Sequence, residues 1–517
     1  MPFKRIAIFV HRWLGVALCL FFLLWFSSAI GTMYWDFPSV TVADRLDRSP
    51  ALDPSTIHVS PAEAFATLDE SQPPAQVHLN TFDGRPVYRF RASGRERIVY
   101  AETGERQIHV SSDMALRIAS AWTRQPSDAA NMETIDDADQ WTVEGSFRAL
   151  SPISKYSWPT GEQVYVSQTT GEVVQYTTTA SRIGAYLGPI PHWLFFTPLR
   201  KHQRQWSSVV IWSSGIGAFS AILGLAVGVW MSSPSRRYRH AGAAVSIPYR
   251  GWKRWHVIFG LLFGLGAATW AFSGMLSMDP FPPTSTNGPP AGRASREGIP
   301  QALRGPLQLG EFAAPDPRQA ISRLRELSVK ELELISFSGE PVYIASLGGG
   351  ETRIVTRDGR VRDGFDRQRL IEIATKAAAP EGLAEIRAID QYDRYYLDRH
   401  RQRPLPVILA RLNDAEHTRY YIDPKTARVV GSYSSRRWVS RWLYHGLHSL
   451  DVPWLYNHRP AWDIVVISFM LGGNALCVTS LILVWRVLGR TLTRSLGSGS
   501  TSADADPPAS TATSSIR

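Results

Sequence analysis

Residues 14–34 read LGVALCLFFLLWFSSAIGTMY, an apolar run long enough to cross a bilayer as a helix. Three further apolar runs of about 20 residues lie near 207–231, 257–278 and 463–485. The first run follows MPFKR and resembles a secretory signal. The run at 257–278 has a similar arrangement of histidine, glycine and tryptophan, lies in mid-chain and cannot be a cleaved signal. We therefore predict four retained transmembrane helices in this chain of 517 residues.

Positive charge flanks these runs and predicts their orientation. The residues concerned are Lys4, Arg5, Arg12, Arg236, Arg237, Arg239, Arg250, Lys253, Arg254, Arg486, Arg490 and Arg494. Cationic flanks stay in the cytoplasm. We expect both termini and the 232–255 loop to be cytoplasmic, with about 36–205 and 279–461 on the outer side, which in a Gram-negative cell is the periplasm. The net charge of +11 partly reflects these flanks, so we predict no nucleic-acid partner.

The chain contains an internal repeat. Residues 192–206 (HWLFFTPLRKHQRQW) align without a gap with 448–462 (HSLDVPWLYNHRPAW), and FDGRPVY at 82–88 matches FSGEPVY at 337–343. Histidine falls on histidine three times, in the pairs His11 and His256, His192 and His448, and His202 and His458. We infer a tandem duplication whose halves are related by a pseudo-two-fold axis along the membrane normal.

Each periplasmic segment has the pattern of an α+β domain with antiparallel sheet, containing about two modules. Helices are predicted at 60–68, 114–122, 316–324 and 369–377, and strands at 87–92, 342–347, 165–176 and 420–433. The fold class is thus an α-helical membrane protein with two periplasmic α+β domains. The expected divisions are 1–35 with the first span, 36–181 periplasmic, 182–231 interfacial with the second span, 232–255 cytoplasmic, 256–278 third span, 279–435 periplasmic, 436–486 interfacial with the fourth span, and 487–517 a disordered cytoplasmic tail. The start of the second periplasmic region, 279–292, is a Pro-rich linker.

The histidine pairs favour a planar cofactor with two axial positions. A residue near a two-fold axis meets its own copy, and the iron of haem b accepts imidazole from both sides. His11 and His256 fall at the cytoplasmic border, while His192 and His448, and His202 and His458, fall at the outer border. Two pairs fall at the outer border, and which of them binds iron stays open. The alternative is that each histidine makes ordinary hydrogen-bond or headgroup contacts at the interface.

Other residues are candidates around such a cofactor. Gly15 and Gly260 lie one helical turn from their histidines, where a small residue lets a porphyrin edge approach. Trp25 and Trp270 lie mid-span and are candidates for packing on it. Basic residues at the outer border are candidates for contacts with an anionic substrate or haem propionates: Arg200, Arg204, Arg441 and Arg459. Both cysteines, Cys19 and Cys477, lie inside spans, so no disulfide framework or thiolate metal site is available.

These segments resemble a known family. The start HRWLGV (11–16), the run YHGLHSLDVPWLYNHRPAWD (444–463) and the FxGxPVY strands are similar to PepSY-associated transmembrane proteins, which include iron-regulated ferric-siderophore reductases of bacterial inner membranes. The resemblance implies a haem-containing reductase with two haems. It would reduce siderophore-bound Fe(III) to Fe(II) in the periplasm, with His11 and His256 serving the cytoplasmic side.

The resemblance also leaves alternatives. Some relatives carry a fused flavin or nicotinamide reductase domain, for which we find no room after residue 486. Electrons are therefore expected from quinol or from a separate cytoplasmic reductase. Other PepSY proteins regulate or bind partners, so the alternative function is a membrane binding or regulatory protein without redox activity.

Overall fold

The computed structural model describes residues 2–280, 293–324 and 326–497. The helices in chain order are α1 Pro2–Thr32, α2 Val42–Arg48, α3 Pro61–Ala66, α4 Ser112–Thr123, α5 Thr179–Leu187, α6 Pro189–Trp193, α7 Thr197–Arg200, α8 Gln203–Met231, α9 Trp252–Leu276, α10 Arg293–Leu303, α11 Pro317–Ser322, α12 Arg367–Ala377, α13 Pro453–Tyr456 and α14 Ala461–Gly497. A π-helix covers Val439–Gly446.

The strands are short and fall mainly in the predicted periplasmic regions. In chain order they are β1 Gln76–Phe82, β2 Arg85–Ala92, β3 Arg95–Tyr100, β4 Arg106–Gln107, β5 Asn131–Ile135, β6 Ile153–Ser157, β7 Gln163–Ser167, β8 Val173–Thr177, β9 Tyr238–His240, β10 Ala243–Val245, β11 Arg304–Gly305, β12 Glu331–Phe337, β13 Glu340–Gly348, β14 Glu351–Thr356, β15 Val361–Arg362, β16 Leu383–Ile389, β17 Val407–Leu412, β18 Arg419–Asp423 and β19 Arg428–Tyr433.

The predicted spans fall on long helices. Among the described residues, four helices are long and apolar enough to cross a membrane: Phe3–Thr32, Gln203–Met231, Trp252–Leu276 and Ala461–Gly489. The last helix continues to Gly497, so 487–497 is helical and the prediction of disorder from residue 487 is wrong there. Its sequence, VLGRTLTRSLG, contains no proline. The rest of the predicted tail, 498–517, and residues 281–292 of the predicted linker lie outside the described residues.

The chain divides into two compact units. The first comprises Met1–Ile30, Trp212–Phe272 and Asp463–Arg517, and so contains most of the four long helices. Glycines there let aromatic rings pack on backbone: a Cβ added at Gly473 would lie 2.8 Å from Phe26, and one at Gly472 would lie 2.4 Å from Phe263. Small residues give helices in lipid this close approach, where packing rather than the hydrophobic effect drives association.

The second unit, Gly31–Ile211 with Ser273–Trp462, holds the antiparallel sheets. In the described part of the chain a sheet of nine strands runs β15-β14-β13-β12-β1-β2-β3-β4, with β11 beside β12, and two sheets of four strands contain β5–β8 and β16–β19. The predicted helices are confirmed as α3, α4, α11 and α12, and the predicted strands also form. The apolar cores lie between the sheets and these helices.

The central sheet joins corresponding strands from the two halves. Strand β1 pairs with β12 so that His78 lies opposite Glu333, Val77 opposite Leu334, and Leu79 opposite Leu332. At the offset of 255 residues that relates the two FxGxPVY motifs, His78 itself corresponds to Glu333. Each strand therefore meets its counterpart about a local two-fold axis that passes through this residue pair.

Several side-chain contacts also occur at corresponding positions in the two halves. The hydroxyl of Tyr165 donates to Asp139, and that of Tyr421 donates to Asp393. The indole of Trp206 donates to the Trp193 carbonyl at 2.8 Å, and in the other half Trp462 donates to the Ser449 carbonyl at 3.1 Å. Leu194 and Leu450 share an unusual positive φ, 55° and 51°. These contacts and backbone angles match at positions that the sequence repeat aligns.

Candidate haem-binding histidine pairs

The first histidine pair lies within the helical unit. His11 on α1 and His256 on α9 face each other with ring centroids 6.3 Å apart and ring planes inclined by 37°. Both side chains are half-buried. The repeat predicted that these residues would meet, and the two helices bring them together.

The separation matches two imidazoles that share one metal ion. An imidazole nitrogen lies about 2.0–2.1 Å from the transition metal that it binds. Adding the distance from nitrogen to ring centre on both sides gives centroids roughly 6 Å apart, a separation that also falls within the range of ordinary ring contacts. The described residues contain no group of three or more His, Cys, Asp or Glu side chains that could hold a metal ion. Two imidazoles are enough for the axial positions of a macrocycle, which brings its own four nitrogens.

Hydrogen bonds assign the protons of this pair. The Nδ1 of His11 lies 3.1 Å from the backbone carbonyl of Ser220, which can only accept, so Nδ1 carries the proton. The Nδ1 of His256 lies 3.2 Å from Oγ1 of Thr479, whose own proton is donated to the Leu476 carbonyl at 2.7 Å. That hydroxyl must therefore accept from His256. Both rings consequently keep an unprotonated Nε2, the form that binds a metal, with Nδ1 held by a neighbouring helix.

Gly224 on α8 borders this pair and is not among the glycines predicted from the sequence. A Cβ at Gly224 would lie 2.5 Å from Cε1 of His11, so the ring packs directly on the helix backbone. Around the predicted glycines there is space: a Cβ at Gly15 would have no atom within 4 Å, and one at Gly260 would meet only Leu476, at 3.9 Å. Gly224 aligns with Ser480 at the repeat offset of 256, and the hydroxyl of Ser480 lies 3.5 Å from Nδ1 of His256.

The second histidine pair lies in the sheet-containing unit. His192 on α6 and His448, just after the π-helix, have ring centroids 6.0 Å apart and planes inclined by 50°. Nδ1 of His448 lies 3.1 Å from the hydroxyl of Ser273, and the ring of Tyr444 packs against His448 at 5.4 Å. Of the two outer pairs left open by the sequence, this one has the geometry of an axial pair.

The remaining histidine pair differs. His202 and His458 are both exposed, and Nδ1 of His458 lies 2.5 Å from the Trp454 carbonyl one turn earlier. In the described part of the chain their rings do not contact each other. The structure therefore supplies two facing pairs from the three that the repeat contains.

The other predicted residues have packing contacts of their own. Trp25 packs against Phe21 and Phe22, and Trp270 packs between Phe26 and Phe469. Among the basic residues, Arg200 is buried over the rings of Phe195 and Trp206. Arg204 is exposed, and Arg459, also exposed, lies over Trp462.

The π-helix places a charged cluster beside the second pair. Arg441 is 7% exposed, and its Nε donates to the Arg394 carbonyl at 2.5 Å while Nη2 donates to the Asp451 carbonyl at 2.7 Å. The His445 side chain is half-exposed, with Nδ1 4.0 Å from the carboxylate of Asp451. Burial, partly offset by Arg441 and Arg399, raises the pKa of Asp451 to about 6. Burial, followed by the charges of Arg441 and Arg403, lowers the pKa of His445.

Comparisons with known proteins add no assignment. No protein-family model matches the chain, and no curated protein matches it.

Proposed function

We propose that this chain is a di-haem reductase of the bacterial inner membrane that passes electrons to siderophore-bound Fe(III) in the periplasm. The observation that carries the proposal is the meeting of two repeat-related histidine pairs at ring separations of 6.3 and 6.0 Å. In one of them both Nδ1 protons are already committed to acceptors, which leaves two nitrogen lone pairs for iron.

In this proposal His11 and His256 hold one haem b, and His192 and His448 hold the other. Once held by these imidazoles, a haem would supply one-electron transfer. Ser220 and Thr479 fix the ring tautomers of the first pair, and Ser273 contacts Nδ1 of His448 in the second. Fixed tautomers and ring orientations keep the ligands in place in both oxidation states.

The architecture is proposed to be a tandem duplication with PepSY-like periplasmic modules. Support comes from the β1–β12 pairing about a local two-fold axis and from the matching Tyr–Asp and Trp–carbonyl contacts. The cationic flanks support both termini in the cytoplasm. In a duplicated chain, equivalent histidines can meet at the axis that relates the two halves. This accounts for the two facing histidine pairs.

The substrate assignment rests on the sequence resemblance and on iron chemistry. Siderophores bind Fe(III) through hard oxygen donors far more strongly than Fe(II), so one electron loosens the complex. The electron donor is proposed to be quinol or a separate cytoplasmic reductase.

The test uses purified full-length protein expressed with ample haem. Dithionite-reduced protein should be reoxidised by a ferric siderophore, with Fe(II) appearing in a ferrous-specific chelator. A haem-loaded protein that no ferric siderophore reoxidises would refute the substrate. A folded, colourless protein would refute the reductase and favour a binding or regulatory role.

A further inference from the structure

Two corresponding loops of the sheet-containing unit carry opposite charge. The loop from 390 to 406, between β16 and β17, has four arginines and three aspartates, and 4 − 3 gives +1. The loop from 136 to 152, between β5 and β6, has one arginine and four acidic residues, and 1 − 4 gives −3. Both loops keep the same aspartate–tyrosine bond, Asp139 with Tyr165 and Asp393 with Tyr421. The fold therefore does not dictate the charge difference.

Two of the three carboxylates of the basic loop are turned inward, and the third, Asp390, is exposed. Asp393 accepts from the backbone of Tyr395 and Tyr396 as well as from Tyr421, and Asp398 accepts from the backbone of Gln402 and Arg403. Three arginines of the loop are exposed, and within the described ranges none of them forms an ion pair: Arg394, Arg401 and Arg403. The loop thus presents three arginines and one aspartate to solvent, while Asp393 and Asp398 accept hydrogen bonds from the backbone.

Hydrogen bonds join this loop to the π-helix and hence to the second histidine pair. Arg441 links the loop at Arg394 to the turn at Asp451. The charge of Arg403 acts on His445, which lies three residues before His448 and next to Tyr444. Burial lowers the pKa of Arg399, and the nearby charge of Arg459 lowers it further. We call the exposed arginines Arg394, Arg401, Arg403 and Arg459, which lie near His445, the cationic rim.

Gathered positive charges repel one another, and an anion placed among them removes that cost. The charge contrast and the position of the rim point to a docking surface for soluble ferric chelates of net negative charge, bound through their anionic oxygens beside the His192–His448 pair. Delivery of an electron to this ligand rests on the proposed function, whereas binding does not. Charged surfaces of this kind also raise the rate of encounter with a ligand of opposite sign.

The binding test uses a probe that cannot be reduced. Gallium(III)–EDTA has the charge of its iron counterpart, and its binding to full-length protein is measured by calorimetry at low salt. The double variant Arg401→Glu/Arg403→Glu should weaken binding by roughly 10-fold or more, and Arg401→Gln/Arg403→Gln should have an intermediate effect. The matched control Arg95→Glu/Arg106→Glu makes the same change in net charge on exposed strand residues and should bind as wild type.

A kinetic experiment tests whether binding at the rim affects the rate of electron transfer to the chelate. Reoxidation of dithionite-reduced protein by ferric EDTA, an anion, should slow by roughly 10-fold in Arg401→Glu/Arg403→Glu, while reoxidation by the cation ferrioxamine B should not slow. Equal binding in wild type and variant, or an equal loss in the control pair, would overturn the inference. So would variants that lose only their binding to phosphatidylglycerol vesicles, because the rim would then contact lipid. Binding of the gallium chelate to a folded protein without haem would support the cationic rim as a docking surface. The same result would refute the proposed haem reductase.

Discussion

The two facing histidine pairs are held in different ways. His11 and His256 lie on long helices, and their Nδ1 atoms are fixed by α8 and α14, so parts of all four long helices contribute. His192 and His448 lie on a five-residue helix and at the end of a π-helix, next to a tyrosine and a group of charged residues. The first pair is suited to holding a cofactor in a fixed apolar setting. The second is suited to exchanging charge with the aqueous side.

The largest effects should follow from removing a ligand. His256→Ala should lose the first haem and His448→Ala the second, each about half of the pigment, because one missing axial ligand weakens both the iron bond and the ring position. His202→Ala and His458→Ala, at exposed positions, should retain full pigment. Haem per protein, measured by pyridine haemochrome, checks this. Pigment loss in His458→Ala with none in His448→Ala would reassign the second pair.

A glycine replacement should separate the two pairs without touching a ligand. Gly224→Val should displace His11, because even a Cβ there lies 2.5 Å from the ring, and should abolish the first haem only. Gly15→Val is the control, since a Cβ at Gly15 meets nothing within 4 Å. Reduced-minus-oxidised spectra with haem counts give the readout. Equal haem in the two variants would show that the space beside His11 does not govern binding.

Much of the fold followed from the sequence, because hydropathy fixes long spans and alternation fixes strands. The repeat also indicated that His11 would face His256. It did not choose between the outer pairs, because His192 and His202 have equally repeated partners and only the short helices α6 and α7 separate them in space. The contact of Gly224 with His11 and the hydroxyl of Thr479 depend on helix rotation, which one sequence does not specify. The π-helix likewise arises from tertiary contacts such as those of Arg441.

A moderate effect on haem retention is expected when Thr479, the hydrogen-bond partner of His256, is replaced. Thr479→Val removes the acceptor of Nδ1 and should weaken haem retention at the first pair by about 10–100-fold, the usual effect of losing such a partner. Thr479→Ser should restore it, and Ser480→Ala, at 3.5 Å, should have less effect. Haem transfer to apomyoglobin measures retention. If Ser480→Ala had the larger effect, the tautomer assignment through Thr479 would be wrong.

The smallest effect concerns pH. Asp451 has a pKa raised to about 6 by burial, against the opposing charges of Arg441 and Arg399. An added electron nearby favours its protonated form, so the potential of the second haem should fall as pH rises through about 6. The first haem should be insensitive, because in the described structure no carboxylate contacts His11 or His256. Spectroelectrochemistry of wild type and Asp451→Asn checks this: the variant should lose the slope, and an unchanged slope would exclude Asp451 as its origin.

The central claim is that paired imidazoles each share one haem iron. It is tested most directly by low-temperature electron paramagnetic resonance of oxidised, purified wild-type protein, combined with a haem count. We predict two haems b per chain, both low-spin with the g-values of bis-imidazole ligation. A folded protein without haem, or one whose haem is high-spin with an open axial position, would contradict the account.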